Sequence, residues 1–286
     1  MNYKCPKPIA ILLAVYNGEK YLRVQIDSII EQTNKDWVLY IRDDASTDST
    51  REIIAEYCKN NDNIITIEDD LGNLGCYENF KQLLRVVEAK YYMFSDADDY
   101  WLPNKTQASY DFIREKEQLY PNIPIMVHTD KKDGDKDLNI KTESSWKALK
   151  IDPDAISNFK YIPIHIAGGA CAIFNHLVKP HLYETAPFHI SHDGWLALQT
   201  ARYGKIFALK IPLLIYRRHE NNTTHKDKSH PTIKNYIKRI IDFPNTIRYH
   251  WKFSSQMQTL GYGGKAKYFY YRIVLMLKIL WEKFTI

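Results

Sequence analysis

The stretch Tyr-Tyr-Met-Phe-Ser-Asp-Ala-Asp-Asp-Tyr, residues 91–100, runs an apolar segment straight into three carboxylates within four positions. A short apolar run bounded by polar residues reads as a buried strand, which assigns Tyr91 to Phe94. Asp96, Asp98 and Asp99 then sit at its carboxyl end, where like charges repel unless a cation or ligand neutralises them. Hard divalent ions such as Mg²⁺ or Mn²⁺ favour such oxygens and keep positions open for substrate phosphates. A solvated acidic turn ahead of a helix capped at Asn104 is the plainer alternative, and this stretch alone does not choose.

Upstream the pattern repeats. Ile9 to Val15 is nearly all apolar, as suits a strand covered on both faces, and ends at Tyr16-Asn17-Gly18. Leu22, Ile26, Ile29 and Ile30 follow at helical spacing. Trp37 to Ile41 is a second strand, stopped by Asp43-Asp44-Ala45-Ser46-Thr47-Asp48, with Ser49 as N-cap of a helix whose inner face is Ile53, Ile54 and Tyr57. Ile64 to Ile67 is a third strand, and the loop Gly72-Asn73-Leu74-Gly75 leads to a helix carrying Tyr77, Phe80, Leu83, Leu84 and Val87.

Short apolar runs alternating with helical patterns predict βαβ units on a mainly parallel sheet flanked by helices. In such a sheet ligands bind outside the carboxyl ends of the strands. Asp43 and Asp44 read either as partners of a base or ribose or as caps of the Ile53 helix. Together with the Asp96 cluster and the loops at 16–18 and 72–73, they suggest a sugar-nucleotide site.

Downstream, Lys131 to Lys150 is charged and weakly patterned and reads as a surface excursion. Order returns at Ile164 to Phe174, and His192 to Tyr203 reads as a short helix closed by Gly204. Ile206 to Leu209 and Leu213 to Tyr216 read as two strands leading into Arg217-Arg218-His219-Glu220-Asn221-Asn222. The 286 residues, 45% hydrophobic and 26% charged, exclude wholesale disorder, and no run approaches the ~18 apolar residues of a bilayer span.

The first residues read as a strand and not a signal peptide, because Gly18-Glu19-Lys20 follows the apolar run. Cys5, Cys58, Cys76 and Cys171 are scattered, which speaks against a disulfide scaffold or zinc site and for a reducing compartment. The absence of G-x-G-x-x-G, G-x-x-x-x-G-K-[ST] and G-x-S-x-G disfavours dinucleotide dehydrogenases, P-loop NTPases and α/β-hydrolases.

The net charge of +5 is unevenly distributed. From Lys226 onward 12 Lys and Arg face 3 Asp and Glu, a net +9, whereas the preceding 225 residues carry a net −4. Residues 226–286 are therefore read as a separate basic, aromatic helical extension after a domain at 1–225. Ile273 to Leu280 is densely apolar but broken by Lys278, with Arg272 and Lys283 beside it. Such a helix suits a membrane interface with anionic head groups, or packing against protein.

The array AVYNGEKYL, RDDASTDST, GNLGCYENF, SDADDYWLPNK, GGACAIF, HDGW and YRRHENN resembles family 2 glycosyltransferases of the GT-A fold, over roughly residues 8–225. Within that family it is similar to bacterial rhamnosyltransferase-like enzymes of O-antigen and capsule synthesis. The resemblance implies a donor pocket lined by Ala14, Tyr16, Asn17 and Asn73, with Asp44 at the base, Asp96 near the ribose and Asp99 near the donor sugar. It implies a D-x-D motif at Asp96-Ala97-Asp98, in which Asp98 binds Mn²⁺ or Mg²⁺, and a general base at Asp193. Gly168, Gly169, His192 and Trp195 would face the acceptor. Arg217 and Arg218 would meet the diphosphate, and His219 would add a metal ligand. Arg218, Glu220 and Gly194 depart from the subgroup's common Gln, Gly and aromatic residue, which bears on acceptor preference.

The chemistry is consistent with that reading. A divalent ion stabilises the leaving diphosphate, and a carboxylate within reach of the acceptor hydroxyl takes its proton. A helix start favours an anion at Asp193. An inverting transferase is thus expected, using dTDP-rhamnose, a UDP-hexose or a UDP-N-acetylhexosamine. Its acceptor would be a glycan carried on a polyprenyl diphosphate, at the cytoplasmic face of the inner membrane. A non-catalytic nucleic-acid-binding or sugar-binding protein is the rival. The acidic body repels a polyanion, so no nucleic acid partner is expected.

Overall fold

Seven apolar residues in a row leave a strand no wet face, and Ile9–Val15 accordingly sits inside the sheet, with Ile9 to Leu13 fully buried. The structure is a computed structural model that describes residues 2–149, 152–156, 168–186, 190–220, 222 and 243–284. The chain opens with β1 (Tyr3–Lys4), β2 (Ile9–Val15), α1 (Leu22–Ile30), β3 (Trp37–Asp43), α2 (Thr50–Asn60) and β4 (Ile64–Thr66). Next come α3 (Cys76–Val86), β5 (Val87–Glu88), β6 (Tyr91–Ser95), β7 (Tyr100–Trp101), α4 (Lys105–Leu119), β8 (Ile125–Gly134) and β9 (Ile140–Thr142). The short helices α5 (Ser145–Ala148) and α6 (Pro153–Ile156) precede β10 (Ala172–Asn175), α7 (His192–Tyr203), β11 (Lys205–Arg217), α8 (Phe243–Thr259) and α9 (Lys265–Phe284).

The main sheet runs β4-β3-β2-β6-β10-β8-β11-β7, with β9 on β8, and β1 pairs separately with β5. From β4 to β6 all neighbours are parallel, as expected. Beyond β6 the sheet is mixed: β10 enters antiparallel between β6 and β8. Antiparallel neighbours need no crossover helix, and the turn Gly169–Cys171 feeds β10 directly. Val15 lies opposite Asp43, and Leu13 opposite Ser95. The loops after β2, β3 and β6 therefore leave the sheet at one edge.

Helices cover both faces. Leu22, Ile26 and Ile29 recur at i, i+4 and i+7 on α1 and are completely buried, as are Phe80 and Leu83 on α3 to within 1%. Each such side chain contributes about 1.5–3 kcal/mol.

Several expectations are corrected. The expected surface excursion at Lys131 to Lys150 is corrected in part: β8 continues to Gly134, β9 pairs with it and α5 packs beside it, while between 135 and 149 only Ser145 is buried. Buried carboxylates there hid the strand, and each is satisfied. Asp130 accepts from the Ser144 hydroxyl and from Trp146 N (3.1 Å), and Asp133 accepts from Ser145 Oγ (2.5 Å).

The two expected strands at 206–216 are one, β11, with register shifts around Pro212, which has no N–H to donate. Ser49 stands at the N-cap of α2 without a side-chain bond, and Asp48 accepts from Thr50 N instead (3.1 Å). Gly204 is not a left-handed stop, since its φ is −153°. It is required because a Cβ would lie 1.8 Å from the Pro124 carbonyl oxygen. Ile164 to Ala167 of the expected strand, Asn221 and residues 226–242 of the extension lie outside the described residues.

The chain divides into two units, Met1–Glu184 with Ser191–Arg217, and Thr185–Ile190 with Arg218–Ile286. In the second, α8 and α9 touch and bury Phe253, Met257 and Tyr268, leaving Trp251 and Tyr270 exposed. Among the described residues no helix is long and apolar enough to cross a membrane.

Candidate active site

Short polar side chains lock the loops at the sheet edge to one another. Asn17 takes a left-handed φ of 51°, which asparagine tolerates better than most residues. Its N–H donates to Ser46 Oγ (2.8 Å), and its Oδ1 accepts from Thr47 N (2.9 Å). Gly18 N donates to Thr50 Oγ1 (2.8 Å). Ala14 is half-buried at the end of β2, and Tyr16 is left 53% exposed at the rim.

Asp44 is 1% exposed, and both its oxygens are engaged. Oδ1 accepts from Arg42 Nη1 (2.7 Å) and Leu74 N (2.8 Å), and Oδ2 from Gly75 N (2.8 Å). The Asn73 side chain donates to the Asp44 carbonyl (2.9 Å). Arg42 also grips Asp69 through Nε and Nη2 and holds that carboxyl below its ordinary range. Asp44 and Asn73, expected to face a nucleotide, thus shape the loop 72–75 from within.

The Asp96–Asp99 loop is braced from two sides. With the Gln25 amide oriented to satisfy both of its ends, it donates to the Asp99 carbonyl (2.7 Å) and accepts from Trp101 Nε1 (3.3 Å). On the other side, Arg217 Nε donates to the Asp98 carbonyl (2.7 Å), and Arg217 N donates to Asp99 Oδ1 (3.1 Å). Burial, then Asp98 and then Asp193, pushes the Asp96 carboxyl up to about 7, with Lys131 opposing. Burial with Asp98 and Asp96 also raises Asp99 well above its ordinary value.

Asp193 lies in the first turn of α7, whose N-cap is Ser191, so Asp193 is not the cap. Its oxygens are held by backbone: Oδ1 accepts from Gly194 N (2.7 Å), and Oδ2 from Gly169 N (3.3 Å). His192 stacks on Phe80 (centroids 4.2 Å apart) with Nδ1 3.8 Å from Cys76 Sγ, while its Nε2 is buried without a partner. Burial lowers the imidazole's pKa and favours the neutral ring, against the pull of Asp193. Cys76 is exposed as a residue, yet burial, followed by Asp96, Asp193, Asp44 and Asp98, pushes its thiol up to about 12. Aspartates from three separate parts of the chain therefore act on one sulfur.

Other expected residues have surroundings of their own. Trp195, expected at the acceptor, is 2% exposed and donates its indole N–H to the Leu182 carbonyl (3.2 Å), which makes it a core residue. The space at Gly169 is filled by His192 and Asp193 and is not left open for a ligand. Among the described residues, a Cβ at Gly168 would meet only Cys171 Sγ, at 3.8 Å. Arg218 and His219 fall in the second unit, where Asn222 Nδ2 donates to His219 Nε2 (3.1 Å). Lys131 and Cys76 were not read as site residues. Lys131 was hidden in the unrecognised end of β8, and Cys76 lies within GNLGCYENF without a role of its own.

A divalent cation is tested by the donor set. Among the described residues no three His, Cys, Asp or Glu side chains are grouped to enclose an ion. Burial, with the repulsion of Asp98 and Asp193 added to it, raises Asp96 and nonetheless marks a place where positive charge is wanted, and Asp99 Oδ2 is buried without a partner. That fits a cation which takes one carboxylate from the protein and completes its shell with phosphate oxygens and water.

Comparison with known proteins bears on the same stretch. The model of Glycosyl transferase family 2 matches residues 10–178. The dTDP-rhamnosyl transferase RfbG of Shigella flexneri is 30% identical over 226 residues, 73% of this chain and 72% of its own length. TarS 1-349 of S. aureus, solved with UDP-GlcNAc, superposes with a TM-score of 0.58 at 16% identity, over 82% of this chain and 65% of that one. The mannosyltransferase PcManGT of Pyrobaculum calidifontis, solved with GDP-Man and Mn²⁺, gives 0.56 at 16% identity, over 76% and 58%. At such identities the two structures bear on the fold alone, and the chain spans less than two thirds of either.

Proposed function

The chain belongs to glycosyl transferase family 2, and on that footing we propose that it is an inverting, divalent-metal-dependent glycosyltransferase of bacterial surface polysaccharide synthesis. The observation that carries this reading is that the start of α3 meets both the loop after β3 and the start of α7: Gly75 N donates to Asp44 Oδ2 (2.8 Å), and Cys76 Sγ lies 3.8 Å from His192 Nδ1, next to Asp193. Carboxylates gathered at the carboxyl edge of a nucleotide-binding sheet suit a donor whose diphosphate brings a cation with it.

In this reading Tyr16 and Ala14 border the nucleotide pocket, and Asn17, Asn73 and Asp44 fix its walls. Asp98 holds the Mn²⁺ or Mg²⁺, Asp96 neighbours the ribose, and Asp99 neighbours the donor sugar. When bound, the cation offsets the negative charge that develops on the leaving diphosphate. Asp193, with both oxygens oriented by Gly169 N and Gly194 N, takes the proton of the acceptor hydroxyl as that oxygen attacks the anomeric carbon. Attack opposite the leaving group inverts the configuration in one displacement.

The donor is proposed to be dTDP-rhamnose, in line with RfbG, or a UDP-hexose, and the acceptor a glycan on a polyprenyl diphosphate. The basic, aromatic extension is proposed to rest on the inner face of the cytoplasmic membrane, with Trp251 and Tyr270 at the polar boundary. Nucleotide sugars screened by thermal shift with Mn²⁺ test the donor, because a ligand of the folded state raises Tm. The anomeric configuration of the product, read by NMR, tests inversion. A retained configuration, or no response to any nucleotide sugar, rejects the reading.

A further inference from the structure

Arg217 reads from the sequence as a diphosphate ligand, but its surroundings give it another task. The residue is 4% exposed at the last position of β11. Nε donates to the Asp98 carbonyl (2.7 Å), and Nη1 donates to the Lys136 carbonyl (2.9 Å) beyond the end of β8. The guanidinium lies over the Tyr21 ring, 4.6 Å from its centroid. Its backbone N–H donates to Asp99 Oδ1 (3.1 Å), while Nη2 is buried without a partner. The backbone N–H, Nε and Nη1 are thus bonded to the protein and Nη2 is shut away from solvent, which commits this arginine to the fold more than to a ligand entering from outside.

From these contacts we infer that Arg217 is a positioning residue, which fixes the main chain at Asp98 and Asp99 so that the Asp98 carboxylate points at the cation. A guanidinium suits this better than an ammonium, because its planar fork reaches two carbonyls in fixed directions while stacking on an aromatic ring. Gln25 supports the same loop from the opposite side through the Asp99 carbonyl. Tyr21, Lys136 and the 96–99 loop come from three separate parts of the chain, and Arg217 ties them at one point. The inference rests on the proposed role of Asp98.

The test is calorimetric titration of UDP and of dTDP into the wild type, Arg217→Lys and Arg217→Gln, each with Mn²⁺ and with EDTA. Mn²⁺ is expected to tighten nucleoside diphosphate binding by about tenfold or more in the wild type, an ordinary coupling between two ligands. In both variants that gain falls to about twofold, while affinity in EDTA stays within about twofold of the wild type. Arg217→Lys keeps the buried charge and serves if Arg217→Gln does not fold. Weaker binding in EDTA by Arg217→Gln, restored by Arg217→Lys, would mean direct contact with the diphosphate and would overturn the inference. An undiminished Mn²⁺ gain in both variants would overturn it too. No gain in the wild type would remove the role of Asp98 and the inference with it.

Discussion

Replacing Gly169 by alanine should disable transfer while leaving donor binding alone. A Cβ at this position would lie 2.9 Å from His192 Nε2, 3.3 Å from His192 Cδ2 and 3.1 Å from Asp193 Cβ. Non-bonded heavy atoms prefer about 3.5–4.0 Å, so the overlap is about half an ångström. The imidazole cannot yield, because it is stacked on Phe80 and set edge-on to Phe94. The start of α7 must shift instead, and the Gly169 N to Asp193 Oδ2 contact, already 3.3 Å, is lost. A misplacement of about 1 Å at a reacting group reduces rate about 100-fold, or about 2.7 kcal/mol in the barrier. Overpacking adds about 1–3 kcal/mol of lost stability.

The assay is steady-state release of nucleoside diphosphate with donor and acceptor varied, beside a melting curve. Lower kcat at unchanged donor KM, in a folded protein, is expected. A folded Gly169→Ala enzyme with kcat within about threefold of wild type would refute the argument that backbone aims Asp193.

Three further outcomes follow from buried groups. Burial lowers Lys105 to about 8, and its Nζ lies over Trp101 (4.5 Å) without a hydrogen-bond partner. The unfolded chain keeps that proton up to about 10.5, so between these values the unfolded state holds more protons and stability rises with pH. Lys105→Met should therefore stabilise by about 3 kcal/mol at pH 7 and lose the advantage near pH 10, in melting curves at both values. Arg42→Leu strands the Asp44 and Asp69 carboxylates and should cost about 3–5 kcal/mol in urea unfolding, with a raised donor KM. Gly204→Ala drives a Cβ into the Pro124 carbonyl at 1.8 Å and should give insoluble protein or a strongly lowered Tm.

The first half of the sheet was legible because β2, β3 and β6 are continuous apolar runs ending in polar loops, a pattern that local chemistry dictates. The second half was not. β8 carries His128, Thr129, Asp130 and Asp133 into the interior, and partners such as Ser144 and Ser145, more than ten residues away, make that burial tolerable. Losing β8 also hid Lys131, the cation that opposes the raised Asp96 and Asp99. The family resemblance marks Asp44, Asp96, Asp98, Asp99 and Asp193 as candidates but does not say how their side chains are held. The sequence pattern of Asp44 says nothing of the two backbone N–H groups it accepts from, and HDGW does not reveal that Trp195 turns into the core.

The account stands or falls on Asp193 as the group that takes the acceptor's proton. The most direct measurement is single-turnover transfer by Asp193→Asn with donor affinity determined on the same preparation. The amide keeps the shape but cannot accept that proton, so a rate lower by about 10²–10⁴-fold with unaltered donor Kd is predicted. Transfer at near wild-type rate by a folded, donor-binding Asp193→Asn protein would contradict it.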